Sequence, residues 1–254
     1  VPHTTRGTEA AVSDGSLSTD LSRLVQFAEP THDDVCLDIS RRGRRLAEAM
    51  ASRTRAVTVV DAAPQPTAPA DPPAVTVRAD ARALPYRNGS FTLVTVRFSL
   101  YRLPDARQSL REMLRVCGPT GRLIIADLIR RDSIGDRDRI ERLRDPGHPT
   151  TPSLDELTGL LTDAGAEVRR LDVFTIERPA EPWLAGAGDE RAAVQLRQAL
   201  TAEVDGGPRT GVRPRMIGGE LWFTQTLAHV AAAPAGRADP ADADLAHSRV
   251  AGDY

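Results

Sequence analysis

The sequence predicts an α/β protein built on a doubly wound, mostly parallel sheet. Short apolar runs rich in Val, Ile and Leu alternate along the chain with segments of helical period, the pattern of strands joined by crossover helices. The run 122–128 is apolar almost without a break, as expected of a parallel strand covered on both faces. Residues 35–61 read as strand, tight turn, helix, strand, the opening unit of a nucleotide-binding α/β domain.

Each element follows from local chemistry. Residues 1–16 are polar and aperiodic, which predicts a disordered N-terminus before a domain spanning 17–230. Residues 17–28 form a short amphipathic helix with Leu21, Leu24, Val25 and Ala28 on one face. Strands are expected at 35–39 and 56–60, with a helix over 42–52 between them, and 62–74 is a Pro- and Ala-rich loop. Further strands fall at 75–78 and 91–96. A helix over 105–117 begins after Pro104 and stops at Gly118-Pro119. Ser153-Leu154-Asp155-Glu156 is a capping box, its helix buries Leu154, Leu157, Leu160, Leu161 and Ala164, and Gly165 supplies the left-handed stop. Strands at 168–176 and 220–230 flank a helix over 189–204, and the Ala-, Pro- and Asp-rich tail 231–254 predicts disorder.

Composition narrows the function classes. A net charge of −2 with 27% charged residues offers no basic stripe for nucleic acid. No apolar run approaches a membrane span, and the N-terminus lacks the apolar core of a signal peptide. Cys36 and Cys117 lie inside apolar elements and make no disulfide framework, which predicts a cytoplasmic setting. The histidines show no metal-ligand spacing, so no metal is expected.

Several motifs stand in order along the chain: Ala79-Asp80-Ala81-Arg82-Ala83-Leu84-Pro85-Tyr86-Arg87-Asn88-Gly89-Ser90-Phe91, then Arg97-Phe98-Ser99-Leu100, Leu103-Pro104-Asp105 and Pro119-Thr120-Gly121-Arg122-Leu123. With them the chain resembles class I S-adenosylmethionine (SAM) dependent methyltransferases of the ubiquinone and menaquinone biosynthesis type. Glu141-Arg142-Leu143-Arg144-Asp145-Pro146-Gly147-His148 is similar to a segment such enzymes carry before their sixth strand. The resemblance covers residues 18–230. It implies a Rossmann-like, seven-stranded, mostly parallel sheet with helices on both faces and the last strand antiparallel. It also implies a cofactor site: Asp38 as the first acid of the glycine motif, Ser40 and Gly43 in the turn, Asp61 on the cofactor ribose, Asp80 and Ala81 at the adenine, and Arg97 in the next motif.

The departures carry as much information as the match. Aligned on Asp38, the three glycines of the family turn become Ser40, Arg42 and Arg44, and Gly43 falls where glycine is not required. A non-glycine residue forced into the left-handed region costs roughly 1–2 kcal/mol, and guanidinium groups oppose the cationic sulfonium of SAM. The arginines at 41, 42, 44 and 45 read either as a solvated helix start or as the seat of an anion on a substrate. Thr92 stands where the family usually has Asp, and Tyr101 and Arg102 replace a frequent pair of His, exchanging a base of neutral pKa for groups that stay protonated. Tyr101, Arg102 and His148, the last in the region where the family builds its substrate lid, are the candidate catalytic residues. Trp183, Trp222, Phe174 and Phe223 serve either a substrate pocket or the core.

Three readings follow. The first is a methyltransferase-fold enzyme of small-molecule, secondary metabolism that no longer transfers methyl groups and acts by cyclisation or rearrangement, with SAM bound weakly or not at all. The second is a working SAM-dependent methyltransferase acting on O, N or C of a small molecule. The third is a non-catalytic subunit activating a methyltransferase partner. A homodimer is compatible with each, and the arginine-rich turn favours the first.

Overall fold

The structure is a computed structural model that describes residues 14–39, 45–61, 75–131 and 135–236. The arginine-rich turn 40–44, with Ser40 and Gly43, the loop 62–74 and most of both termini lie outside the described residues; of the termini expected to be disordered, 14–16 belong to the first helix and 231–234 to the last strand.

Helix α1 (Asp14–Ala28) leads into β1 (Val35–Ile39), α2 (Arg45–Ala51), β2 (Ala56–Asp61), β3 (Val75–Arg78) and β4 (Phe91–Arg97). Then come α3 (Ala106–Val116), β5 (Cys117–Leu128), α4 (Arg137–Arg144), α5 (Leu154–Ala164) and β6 (Ala166–Pro179). The chain continues through α6 (Ala180–Leu184), α7 (Glu190–Val204), β7 (Arg215–Ile217) and β8 (Glu220–Pro234). The sheet runs β3-β2-β1-β4-β5-β8-β6. Strands β1 to β5 pair in parallel, while β8 is antiparallel to both β5 and β6. This is the expected seven-stranded path, and the short β7 adds an eighth strand as a hairpin on the overhanging start of β8.

The helices bury two faces of the sheet. Leu110 and Met113 of α3 and Leu157 and Leu161 of α5 pack on one side with Leu37, Val94, Leu123 and Ile125. Leu24 and Ala28 of α1 and Leu46 and Met50 of α2 pack on the other with Cys36, Leu93 and Ile124. A third cluster joins Ile140, Trp183, Leu184, Leu196, Leu200 and Phe223, and it carries α4, α6 and α7 over the carboxyl end of the sheet. The capping box at Ser153 is formed on both sides, and Gly165 ends α5 at φ 90°.

Four differences from the sequence reading have physical causes. Helix α4 was not expected, because Arg137–Arg144 offers only Ile140 and Leu143 as apolar residues. It is held by the Asp136 side chain, which accepts from the Arg139 N–H at 2.9 Å. Strand β5 starts at Cys117, because Gly118-Pro119 ends the helix but leaves the backbone extended through a bulge opposite Phe91 and Leu93. Strand β8 runs to Pro234 because Ala231 and Ala232 pair with both β5 and β6, so the tail begins later than position 231. Thr92 is not in the carboxyl-end cleft: it is the second residue of β4, at the amino end of the strands. There its hydroxyl donates to Asp34 Oδ1 at 2.6 Å and accepts from the Val35 N–H at 3.0 Å.

Candidate functional site

A doubly wound sheet offers a ligand crevice outside the carboxyl ends of its strands, at the point where the strand order reverses. Here that point lies between β1 and β4. Beside it, at the ends of β4 and β5, is a cavity of about 360 Å³ walled by α4, the segment 148–152, the end of β6 and α6. Tyr101, Arg102 and His148 all line it.

Their positions follow from one backbone feature. Phe98 leaves β4 at φ 51°, in the left-handed region, which costs a non-glycine residue about 1–2 kcal/mol. The chain then turns sharply into a 3-10 turn, Leu100–Arg102, over the cavity. Arg102 is clamped there. Its Nη1 contacts Asp145 Oδ2 at 2.8 Å, and its Nη2 lies 3.0 Å from His148 Nδ1. A guanidinium only donates, so Nδ1 of His148 accepts and the imidazole proton sits on Nε2, which lies 3.4 Å from Thr151 Oγ1. Burial, with the Arg102 charge acting in the same direction, lowers the His148 pKa and keeps the ring neutral.

The Tyr101 hydroxyl is buried and makes no hydrogen bond among the described residues. Burial first, then the charges of Asp127 and Glu156, raise its pKa, so it stays a donor. Asp127, near the end of β5, also lines the cavity. Burial pushes its carboxyl up to about 7, against the Leu128 and Leu100 N–H groups and the Arg102 charge, which favour the anion. Near neutral pH the carboxyl is therefore divided between a donor and an acceptor form. Sequence reasoning passed over Asp127, although a carboxylate in the otherwise apolar run Leu123-Ile124-Ile125-Ala126-Asp127-Leu128 is a readable signal.

This raised pKa has a consequence for stability. Relative to the unfolded chain, folding disfavours the Asp127 anion. The protonated form carries no such penalty below about pH 4, and stability falls as pH rises from there through about 7. Each pKa unit corresponds to about 1.4 kcal/mol. Asp127→Asn is expected to raise the melting temperature at pH 8 and to change it little at pH 4; equal shifts at both pH values would contradict the assignment.

The other cavity cations are engaged. Arg178 ion-pairs with Asp20 and donates through Nε to Gln225 Oε1 at 2.8 Å. Arg144 donates to the Trp183 carbonyl at 3.1 Å, its guanidinium 5.3 Å from the Trp183 ring centroid. Trp183 thus lines the cavity. Phe223, 4.8 Å from it ring to ring, belongs to the core, and Phe174 packs edge-on against His229.

The residues assigned to a cofactor are arranged less uniformly. Asp38 is fully buried in β1 and accepts the Thr95 hydroxyl at 2.7 Å. Asp61 closes β2 opposite Arg78. Ala81 is buried, while Asp80 is exposed and held by its neighbour: Arg82 grips both carboxylate oxygens, and these bonds lower the Asp80 pKa to about 2. Such an exposed pair is a weak restraint. Arg97, at the end of β4, is largely buried. Burial lowers its pKa, and its electrostatic neighbours are Asp20, Arg178, Asp38 and Arg45. Among the described residues Asp38 and Asp80 already accept hydrogen bonds, and the turn 40–44 that would complete the site lies outside them.

In the solved structure of YcgJ from Bacillus subtilis, 97% of the chain superposes on 85% of this one, with a TM-score of 0.69 and 19% identity. The chain has the class I methyltransferase fold. The [4+2]-cyclase SpnF shares it at a TM-score of 0.57 and 18% identity, over 86% of this chain and 81% of that one. Residues 37–125 match the family of the methyltransferase domain. Among curated proteins, the 27-O-demethylrifamycin SV methyltransferase of Amycolatopsis mediterranei is 35% identical over 134 residues, half of this chain and 48% of that protein. The chain thus aligns with about half the length of that relative. Among the described residues, no group of three or more His, Cys, Asp or Glu is placed to hold a metal, and no helix is long and apolar enough to cross a membrane.

Proposed function

We propose that this methyltransferase-fold protein is an enzyme of small-molecule metabolism that isomerises its substrate, by cyclisation or rearrangement, in the cavity beside β4 and β5. The observation that carries the reading is the Tyr101–Asp127 pair: two hydrogen-bond donors beside an apolar wall, one a hydroxyl that makes no hydrogen bond among the described residues. A substrate carbonyl or enol oxygen that gains negative charge accepts from Tyr101 and from protonated Asp127. Desolvation strengthens both bonds in the transition state. The cavity walls hold the reacting carbons together, which supplies the entropic part of the acceleration. Arg102 is a positioning residue that sets the His148 tautomer, and His148 Nε2 is left to steer a second substrate oxygen.

The engaged cavity arginines favour a neutral substrate over an anionic one. Its class is proposed by analogy with the rifamycin enzyme, whose name specifies a demethylrifamycin. Methyl transfer is the second reading, supported by the family match over residues 37–125. Mass spectrometry separates the two. Incubated with metabolites of this class and no added SAM, the protein is expected to yield a product of unchanged mass and altered retention. A product heavier by one methyl group, formed only with SAM, would replace the first reading by the second.

A further inference from the structure

On the far side of α4 lies a second cavity, of about 490 Å³, between the start of α4, the end of α7 and the β7–β8 hairpin. Six arginines line it: Arg130, Arg131, Arg137, Arg209, Arg213 and Arg215. Glu203 is the one carboxylate among the described lining residues, and it is already engaged by the Thr210 N–H at 2.7 Å and by the Thr210 hydroxyl. Three of the arginines are met by carboxylates from outside the lining: Arg130 by Glu156 at 2.7 Å, Arg137 by Glu141 at 3.3 Å, and Arg215 by Glu177. Asp136, the carboxylate next in the chain to Arg137, is turned to cap α4.

The wall is built rather than fortuitous. Gly135 and Gly211 cross so closely that a Cβ on Gly135 would collide with the Gly211 backbone, and one on Gly211 would lie 3.1 Å from the Arg137 backbone. This crossing fixes the backbones that carry Arg137 and Arg209. Arg137 is buried, and its Nε makes no hydrogen bond among the described residues. Buried donors are ordinarily satisfied, and this one finds no acceptor among the described residues.

Guanidinium groups converging from several elements on a concave surface match the oxygens of a phosphate, each able to bind two of them at once. A convex acidic protein surface would not enter such a hollow. We propose that this second cavity binds a phosphate- or diphosphate-bearing small molecule. The site stands apart from the chemistry of the first cavity and does not depend on it. The two are joined, however, by one buried contact, since Arg137 lines the second cavity and its partner Glu141 lines the first.

The test is calorimetry of the full chain with inorganic pyrophosphate, inorganic phosphate, glycerol phosphate and sulfate at matched ionic strength. Saturable binding of pyrophosphate to a single site is expected. Arg131→Glu with Arg209→Glu, both at exposed positions, should weaken it at least about tenfold, about 1.4 kcal/mol, without lowering the melting temperature. Arg107→Glu, on α3 and paired with Asp163, should leave binding unchanged. Glycerol phosphate binding more tightly than inorganic phosphate would identify an ester as the ligand, and equal affinities would identify the free anion; either supports the site. No binding of any phosphate, binding indifferent to the double reversal, equal weakening by Arg107→Glu, or capture of an acidic peptide in place of pyrophosphate would overturn the proposal.

Discussion

Asp34→Ala is expected to destabilise the protein by about 3–5 kcal/mol, the range for removing one partner of a buried charged network. Asp34 is 4% exposed, at the start of β1. Its carboxylate receives Arg122 Nη2 at 2.8 Å, Arg122 Nη1 at 3.1 Å, the Thr92 hydroxyl at 2.6 Å and the Thr31 N–H at 2.8 Å. Arg122 extends the network to the carbonyls of Ala28 and Glu29, so this knot ties α1, β1, β4 and β5 at the amino end of the strands, remote from the cavity. Burial alone would raise the Asp34 pKa, but the bonds from Arg122, Thr92 and Thr31 outweigh it and hold it at about 2. A depressed carboxylate stabilises the fold above its unfolded pKa, and that stability is lost as pH falls toward 2. For a domain of this size the expected loss lowers the melting temperature by about 10 °C at pH 7, and by much less at pH 2. A change within about 1 °C at pH 7 would show that the network contributes nothing net.

Tyr101→Phe is expected to lower turnover at least about tenfold, equal to about 1.4 kcal/mol of transition-state stabilisation, and up to about 10²-fold if the developing charge rests mainly on this donor. The substitution removes one oxygen and keeps the ring that packs against the core, so the melting temperature should hold. His148→Ala and Arg102→Ala should fall in the same range for different reasons, His148 as a direct contact and Arg102 by freeing the imidazole. A pH profile separates them: loss of the Arg102 charge moves the pKa of His148 upward, while Tyr101→Phe leaves the profile in place. Asp61→Ala should leave turnover unchanged. A large loss at Asp61 with none at the other three would return the chemistry to methyl transfer.

Much of this was legible in the chain, for reasons specific to each element. The capping box at Ser153 and the left-handed Gly165 are local signals that need no tertiary context, and α5 begins and ends where they place it. The buried parallel strands declare themselves by continuous apolar runs. Helix α4 was hidden because its stability comes from Ile140 in a distant cluster and from the Asp136 cap, not from its own periodicity. The β7–β8 hairpin was hidden because Arg215–Ile217 is too short to carry a pattern. Thr92 misled for another reason: a departure from a family pattern reads as a change at the cleft, whereas the fold makes it a staple on Asp34. In the cavity, the meeting of Tyr101, Arg102 and His148 followed from motif order. The pairing of Asp127 with Tyr101 required knowing which face of β5 meets the turn after Phe98.

The central claim, cavity chemistry without a sulfonium cofactor, is tested most directly by titrating the purified protein with SAM and with S-adenosylhomocysteine in a calorimeter. Arg97 and Arg45 beside Asp38, with the arginines of residues 41–44, predict weak or absent binding of SAM, and weaker binding of SAM than of its uncharged-sulfur product. Binding of SAM at micromolar concentration or tighter, abolished by Asp61→Ala, would contradict it.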